Sequence, residues 1–379
     1  CRVWDVDGNE YIDFSAAIGP ISLGYCYDRV DNAIKKQLES GISFSLIHPL
    51  EVEAAELLRE VLPAAESIRF AKTGAEAAAA AVRLARAYTG REKVLCCGYH
   101  GWHDWYIGST ARNMGVPECV AGLIQSFSYN DYDSAKELID ADTACVILEP
   151  MIFDWPQDYF LESLKDLCVS NGTLLIFDEM WTGFRWSLGG AQQYFNVQSD
   201  LACYSKALAN GMPIAVLAGR KEIMDLLTDD VFFYSTFGGE TLSLAALIAT
   251  IKELRERNVP EYLANQGQKL LCGYNNLSKE LGLADYTLCK GHPARTIVEF
   301  KASDQDPLLM KSLVQQELLR RGILWSGFHN LSFTHTDSPI EYLLEGYEEV
   351  LPILKVAIEN GTLEQLIEGK PVQPVFRKV

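Results

Sequence analysis

The middle of the chain alternates short, unbroken apolar runs with stretches of helical periodicity, and that alternation restricts the fold more than any other feature. Strands are expected at Ser67–Ala71, Lys93–Cys97, Ala144–Glu149, Thr173–Asp178, Leu201–Tyr204 and Ile214–Ala218. Helices such as Ala75–Tyr88 and Tyr159–Asn171 lie between them. An apolar run without alternation belongs to a strand covered on both faces. The expected class is therefore α/β, a mostly parallel central sheet with helices on both faces. Such sheets bind ligands beyond the carboxyl ends of their strands, which is where functional residues should be sought.

The two chain ends read differently. Val3–Phe14 alternates around a turn at Asp7-Gly8-Asn9, a hairpin signal. Late in the chain, Thr296–Phe300 reads as a strand among amphipathic helices at Pro307–Arg321 and Glu341–Glu359. A chain of 379 residues is long enough for one large domain with a smaller companion. The expected division is 1–45 and 266–379 as the two parts of a small α+β domain, with 46–265 as the large, ligand-binding domain.

A net charge of −18 argues against nucleic acid or an anionic membrane as partner, because both require clustered Lys and Arg. Apolar stretches such as Leu244–Thr250 are too short to span a bilayer. Ten cysteines include the adjacent Cys96 and Cys97 but no C-x-x-C pair, so they read as reduced core residues and a cytoplasmic location is expected. No secretory signal opens the sequence. It starts at Cys1 rather than Met, so further sequence is expected upstream.

Chemistry is concentrated at the strand ends. Asp178 and Glu179 follow an apolar strand, where a carboxylate is costly unless a cation or a donor meets it. Asp178 suits a pyridinium partner, a helix cap or salt bridge, or a metal ligand. Ser205-Lys206 follows the next strand and opens a turn containing Gly211 and Pro213. Most lysines are solvated surface charges, but desolvation at a strand end makes the amine a nucleophile able to form a Schiff base. Thr73 and Glu76 have capping-box spacing, and the same helix start offers free N–H groups to a phosphate. His100 and His103 lack a third ligand at metal-site spacing, so no metal is expected. Tyr99, at a strand end, suits either the core or a flat ligand. The turn Ser235–Glu240 reads as the start of a long helix. No G-x-G-x-x-G follows a strand, which disfavours a nicotinamide enzyme.

The order and spacing of these segments resemble the class-III aminotransferases that use pyridoxal 5'-phosphate (PLP), in particular their glutamate-1-semialdehyde aminomutase-like branch. The resemblance runs from Val3–Phe14 to Leu331–Thr336. Its most specific pieces are Phe177-Asp178-Glu179-Met180, Thr182–Arg185, Ser205–Leu208 and Gly211–Pro213. It implies the PLP-transferase fold of type I, with Lys206 holding the cofactor as a Schiff base and Asp178 on its ring nitrogen. Met180 and Tyr99 would cover the two ring faces. Gly74 and Ala75 would offer N–H groups to the phosphate, which Thr236 would reach from a second subunit, so that a homodimer shares its active sites. Glu149 would lie nearby as a gate or hydrogen-bond partner. A small-molecule amine donor and a carbonyl acceptor would be the reactants.

Several positions depart from the family pattern. Ala75 stands where Ser or Thr is usual, Ser205 where Gly is common, and Gly238–Thr241 differs from the Gly-Asn-Pro of the aminomutases. Ser332 falls where many relatives carry a carboxylate-binding arginine, so a hydroxylated aldehyde or keto acceptor, such as a sugar derivative or a semialdehyde, is expected. The alternatives are that sequence upstream of Cys1, or an arginine such as Arg112, binds a carboxylate instead. An aminotransferase is therefore the leading reading. An intramolecular aminomutase and a catalytically silent PLP-fold binding protein are the alternatives.

Overall fold

The computed structural model describes residues 1–301 and 305–373. It divides into two units: Cys1–Tyr25 together with the described residues from Asn258 onward, and Cys26–Arg257. The limits expected at 45 and 265 are corrected accordingly, to 25 and 257. The cause is local. The helix Asp28–Leu38 packs on the helix Thr241–Glu256, and Arg29 pairs with Glu253 and Glu256. Thr241 also donates to the carbonyls of Gly41 and Ile42, so residues 26–45 belong with the larger unit. Residues 302–304 and 374–379 of the expected range 266–379 lie outside the described residues.

In the smaller unit the N-terminal hairpin is β1 (Arg2–Trp4) and β2 (Glu10–Asp13), paired antiparallel. The larger unit holds β3 (Ser67–Ala71), β4 (Lys93–Cys97), β5 (Ile124–Ser126), β6 (Thr143–Leu148), β7 (Leu174–Asp178), β8 (Leu201–Tyr204) and β9 (Ala215–Gly219). They form one seven-stranded sheet in the order β3-β9-β8-β7-β6-β4-β5. Only β9 runs against its neighbours, β3 and β8; the pairings from β8 through β7, β6 and β4 to β5 are all parallel. The smaller unit continues with β10 (Thr287–His292), β11 (Arg295–Phe300), β12 (Ile323–Leu324) and β13 (Phe328–Asn330), and β12 joins β2 in parallel.

The sheet is buried on both faces for the reason the sequence suggests. Every residue of β6, β7, β8 and β9 is buried. Successive side chains point to opposite faces. Leu174 and Ile176 thus join one layer with the alanines of the helix Gly74–Thr89, while Leu175 and Phe177 join the other with Phe160 and Leu164. The alanines of that first helix carry little bulk, which lets its backbone lie close to the sheet. Each fully buried Leu, Ile or Phe here contributes about 1.5–3 kcal/mol. Strand β5 has no counterpart among the expected strands because it is a three-residue edge with one buried position, and so shows no apolar run. Among the described residues, no helix is long and apolar enough to cross a membrane.

Candidate active site

Two neighbouring parallel strands end together. Asp178, the last residue of β7, is in register with Cys203 of β8, and Lys206 follows three positions later. The lysine backbone is left-handed, at φ 45°, and Ser205 before it donates its hydroxyl to the Ile214 carbonyl at 2.7 Å. A left-handed non-glycine residue is uncommon and strained. The Lys206 ammonium nitrogen stands 3.2 Å from the centroid of the Trp181 ring, a cation–π approach.

Asp178 is 2% exposed, and its carboxylate is held at both oxygens. One oxygen lies 2.8 Å from His100 Nδ1, and the other accepts the Met180 N–H at 3.1 Å. A carboxylate has about four acceptor directions, so this arrangement leaves room for a further donor. His100 Nε2 is buried and has no hydrogen-bond partner among the described residues. The turn after β7 is fixed by Glu179, fully buried, whose oxygens take the N–H groups of Ala191 and Gln192 and the Thr182 hydroxyl. Burial pushes the Glu179 carboxyl up to about 7 despite those bonds, with the neighbouring charge of Asp178 adding to the shift.

The helix Gly74–Thr89 starts beside this turn. Its capping box takes the N–H groups of Lys72, Thr73 and Glu76. Those of Gly74 and Ala75 have no acceptor among the described residues. Capping and anion binding therefore coexist at one helix end, where the dipole favours negative charge. A Cβ at Gly74 would come 2.6 Å from the Met180 sulfur, so a side chain there would displace the Met180 thioether.

Strand β4 leads into the loop that carries Tyr99 and His100. The Tyr99 ring is 42% exposed and packs edge-on against Tyr106, and its N–H donates to Glu149 Oε1 at 2.9 Å. Partial burial raises the Tyr99 hydroxyl, helped by the Asp178 charge. Glu149 is buried, immediately after β6. The His103 ring packs edge-on against Trp102.

Lys206, Asp178, Met180, Gly74, Ala75, Tyr99 and Glu149 thus all stand at the carboxyl edge of one sheet or on the loops and helix starts beside it. Thr236 does not join them. It lies in the exposed turn before the helix Thr241–Glu256, beside a separate cavity of about 180 Å³ bordered by Phe44, Leu46, His48 and Tyr234. Ser332 belongs to the smaller unit, where it is buried and its hydroxyl lies 2.9 Å from His335 Nδ1 and 3.0 Å from Thr334 Oγ1. Sequence reasoning gives His100 and Trp181 no place beside Asp178 and Lys206. His100 carries a signal, directly after Tyr99 at a strand end, but metal-ligand spacing is the wrong criterion for it. Trp181 carries none beyond its position three residues after Asp178.

A doubly covered, mostly parallel sheet with a lysine and a carboxylate at adjacent strand ends is the architecture of the fold-type-I PLP enzymes. The chain belongs to the class-III aminotransferases: the family profile described as "Aminotransferase class-III" matches residues 1–332. It is a PLP-dependent enzyme of amino-group transfer. It is 37% identical over 369 residues to the 3-aminobutyryl-CoA aminotransferase of Cloacimonas acidaminovorans, a match spanning 93% of this chain and 87% of the relative. It is 40% identical over 299 residues to the glutamate-1-semialdehyde 2,1-aminomutase of Acetivibrio thermocellus, spanning 73% and 70%. Among solved structures, the PLP internal aldimine form of the Sphingopyxis sp. MTA144 FumI protein superposes with a TM-score of 0.87 at 28% identity, covering 94% and 88% of the two chains.

Proposed function

We propose that this protein is an aminotransferase that takes an amino group from a small-molecule amine donor and gives it to an aldehyde or keto acceptor, with Lys206 and Asp178 as its catalytic residues. The observation that carries the reading is the Asp178 carboxylate, buried at a strand end beside Lys206 and anchored by His100 and Met180 with acceptor capacity remaining. The residues suit the cofactor, since a Cβ at Gly74 would fill the space beside Met180 and the helix N–H groups above it await an anion.

When bound, PLP supplies an electron sink for the carbanion formed at the donor carbon. Lys206 would hold the cofactor through its Nζ and would move a proton there as general base and acid. Asp178 keeps the ring nitrogen protonated. Gly74 and Ala75 would hold the phosphate through their N–H groups, Tyr99 and Met180 would flank the ring, and Glu149 would keep the Tyr99 backbone in place through its hydrogen bond to the Tyr99 N–H. Thr236 serves the site of a second subunit, making the protein a homodimer. The exposed aromatic side chains Phe232, Tyr234 and Phe237 around that turn support an interface there. None of the ten cysteines is in a disulfide and six are buried, which supports a reducing, cytoplasmic setting.

The likeness to the Acetivibrio enzyme favours one second reading, intramolecular amino transfer. A single experiment separates them. Enzyme bleached by an amine donor should recover its visible cofactor band on adding a carbonyl acceptor. Efficient conversion of glutamate-1-semialdehyde to 5-aminolevulinate without any donor would make the aminomutase reading correct instead.

A further inference from the structure

A cavity of about 310 Å³ beside Tyr99 bears on the acceptor, and its role rests on the reading that Tyr99 covers the cofactor. Its volume is at the low end for small-molecule sites, about 300–1,000 Å³. Cys97, Gly98, Tyr106, Ser109, Thr110 and Phe127 help to line it. Three of the lining hydroxyl groups share one property. Tyr106 donates its O–H to the Gly98 carbonyl at 2.8 Å, Ser109 to the Tyr106 carbonyl at 2.8 Å, and Thr110 to the Ile107 carbonyl at 2.9 Å. Each of these three protons is engaged within the chain, so what the hydroxyls can present to a ligand is acceptor capacity, part of which Thr110 Oγ1 already gives to the Arg112 N–H at 3.2 Å.

No Arg, Lys, His, Asp or Glu is found among the described lining residues. An acid stands just behind the wall. At Gly98, where φ is +109°, a Cβ would lie 2.8 Å from Glu149 Oε1, so the carboxylate backs directly onto the glycine. An anion entering this space would meet acceptor lone pairs and a buried carboxylate, with no lining cation to offset its lost hydration. A group carrying O–H or N–H protons would meet acceptors instead.

We propose that this cavity receives the part of the acceptor beyond its carbonyl carbon, and selects an uncharged tail bearing O–H or N–H donors over an anionic one. The test loads the enzyme with the amine form of its cofactor and adds glyceraldehyde or succinic semialdehyde, following the return of the visible band. Glyceraldehyde is expected to react faster by about 10- to 100-fold, the discrimination typical of one unpaired buried charge. Ser126→Lys, at the cavity rim, supplies the missing cation and should cut that ratio at least about tenfold; Thr110→Lys is a second, independent placement. Succinic semialdehyde reacting as fast or faster with the unaltered enzyme overturns the proposal, and loss of that preference in Arg112→Ala would assign the tail to Arg112. A ratio unmoved in both lysine variants also overturns it. Should neither aldehyde return the band, the acceptor lies outside this pair, and the amino-transfer reading is judged by the donor-bleaching experiment above. The cavity is then judged by saturation-transfer NMR with propane-1,2-diol and butyrate: stronger contact for the diol upholds the proposal, and stronger contact for butyrate overturns it.

Discussion

The strand ends at Asp178 and Lys206 and the turn around Thr236 are built in opposite ways. Asp178 is almost wholly enclosed and both its oxygens are held by groups of the same chain. The turn around Thr236 is exposed and flanked by aromatic side chains facing solvent. A firm anchor lies beyond it, where Glu240 caps the next helix and pairs with Lys72 at 2.8 Å. Burying a carboxylate is costly, so a chain that does so must supply donors locally and rigidly. Exposing aromatic rings is also unfavourable, and is relieved when another surface covers them. The first region is held by donors of its own chain, whereas the second leaves its aromatic rings exposed, as the proposed second-subunit role would require.

That contrast is broken most severely at Lys206. In Lys206→Ala, turnover should fall by roughly 10⁴ while the cofactor stays bound without a covalent link, because proton transfer and anchoring are both lost. Retained turnover, measured with a saturating donor, would remove Lys206 from the mechanism. Asp178→Asn comes next. A neutral amide cannot keep the ring nitrogen protonated, so single-turnover proton abstraction should slow by at least about two orders of magnitude, about 2.7 kcal/mol. Circular dichroism should show the fold intact, and a near-normal rate would contradict the assignment.

The exposed turn allows a different kind of test. An inactive Lys206→Ala chain mixed with a severely impaired Thr236→Val chain should regain activity, since one hybrid site receives both intact residues. Native mass spectrometry would establish that subunits exchange. Absence of recovery despite exchange would mean that Thr236 does not serve a neighbour.

The last effect concerns stability rather than turnover. The folded-state carboxyl of Glu179 is raised to about 7 from 4.5, chiefly by burial. Its protonated form is favoured in the folded protein, so its contribution to stability is full below pH 4.5 and lost as pH rises through about 7. The difference is on the order of 3 kcal/mol across that window. The Tm of the unaltered protein should therefore decline more steeply between pH 4.5 and 7 than that of Glu179→Gln. Parallel Tm curves would show that Glu179 does not titrate in that range.

The same two regions show what a sequence can reveal. Strands β4 and β8 lie where their apolar runs place them, because burial on both faces leaves a nearly uninterrupted signature, whereas β3 also lies where expected although only Ala71 of it is buried. Asp178 and Lys206 are legible because polar residues ending such runs stand out. The packing of residues 26–45 on the helix Thr241–Glu256 is not, since it joins segments some two hundred positions apart in the chain. Neither is the His100 bond to Asp178, which depends on how the loop after β4 folds back across β6 to reach β7. Ser332, conspicuous in the sequence for lacking a cationic side chain, lies in a closed hydrogen-bond cluster with Thr334 and His335.

The most direct measurement reduces the yellow enzyme with borohydride, digests it and locates the pyridoxyl group by mass spectrometry. The label is predicted on the peptide containing Lys206, and it should be absent from Lys206→Ala. A label on any other lysine, or an undiminished label in that variant, would contradict the site described for this chain.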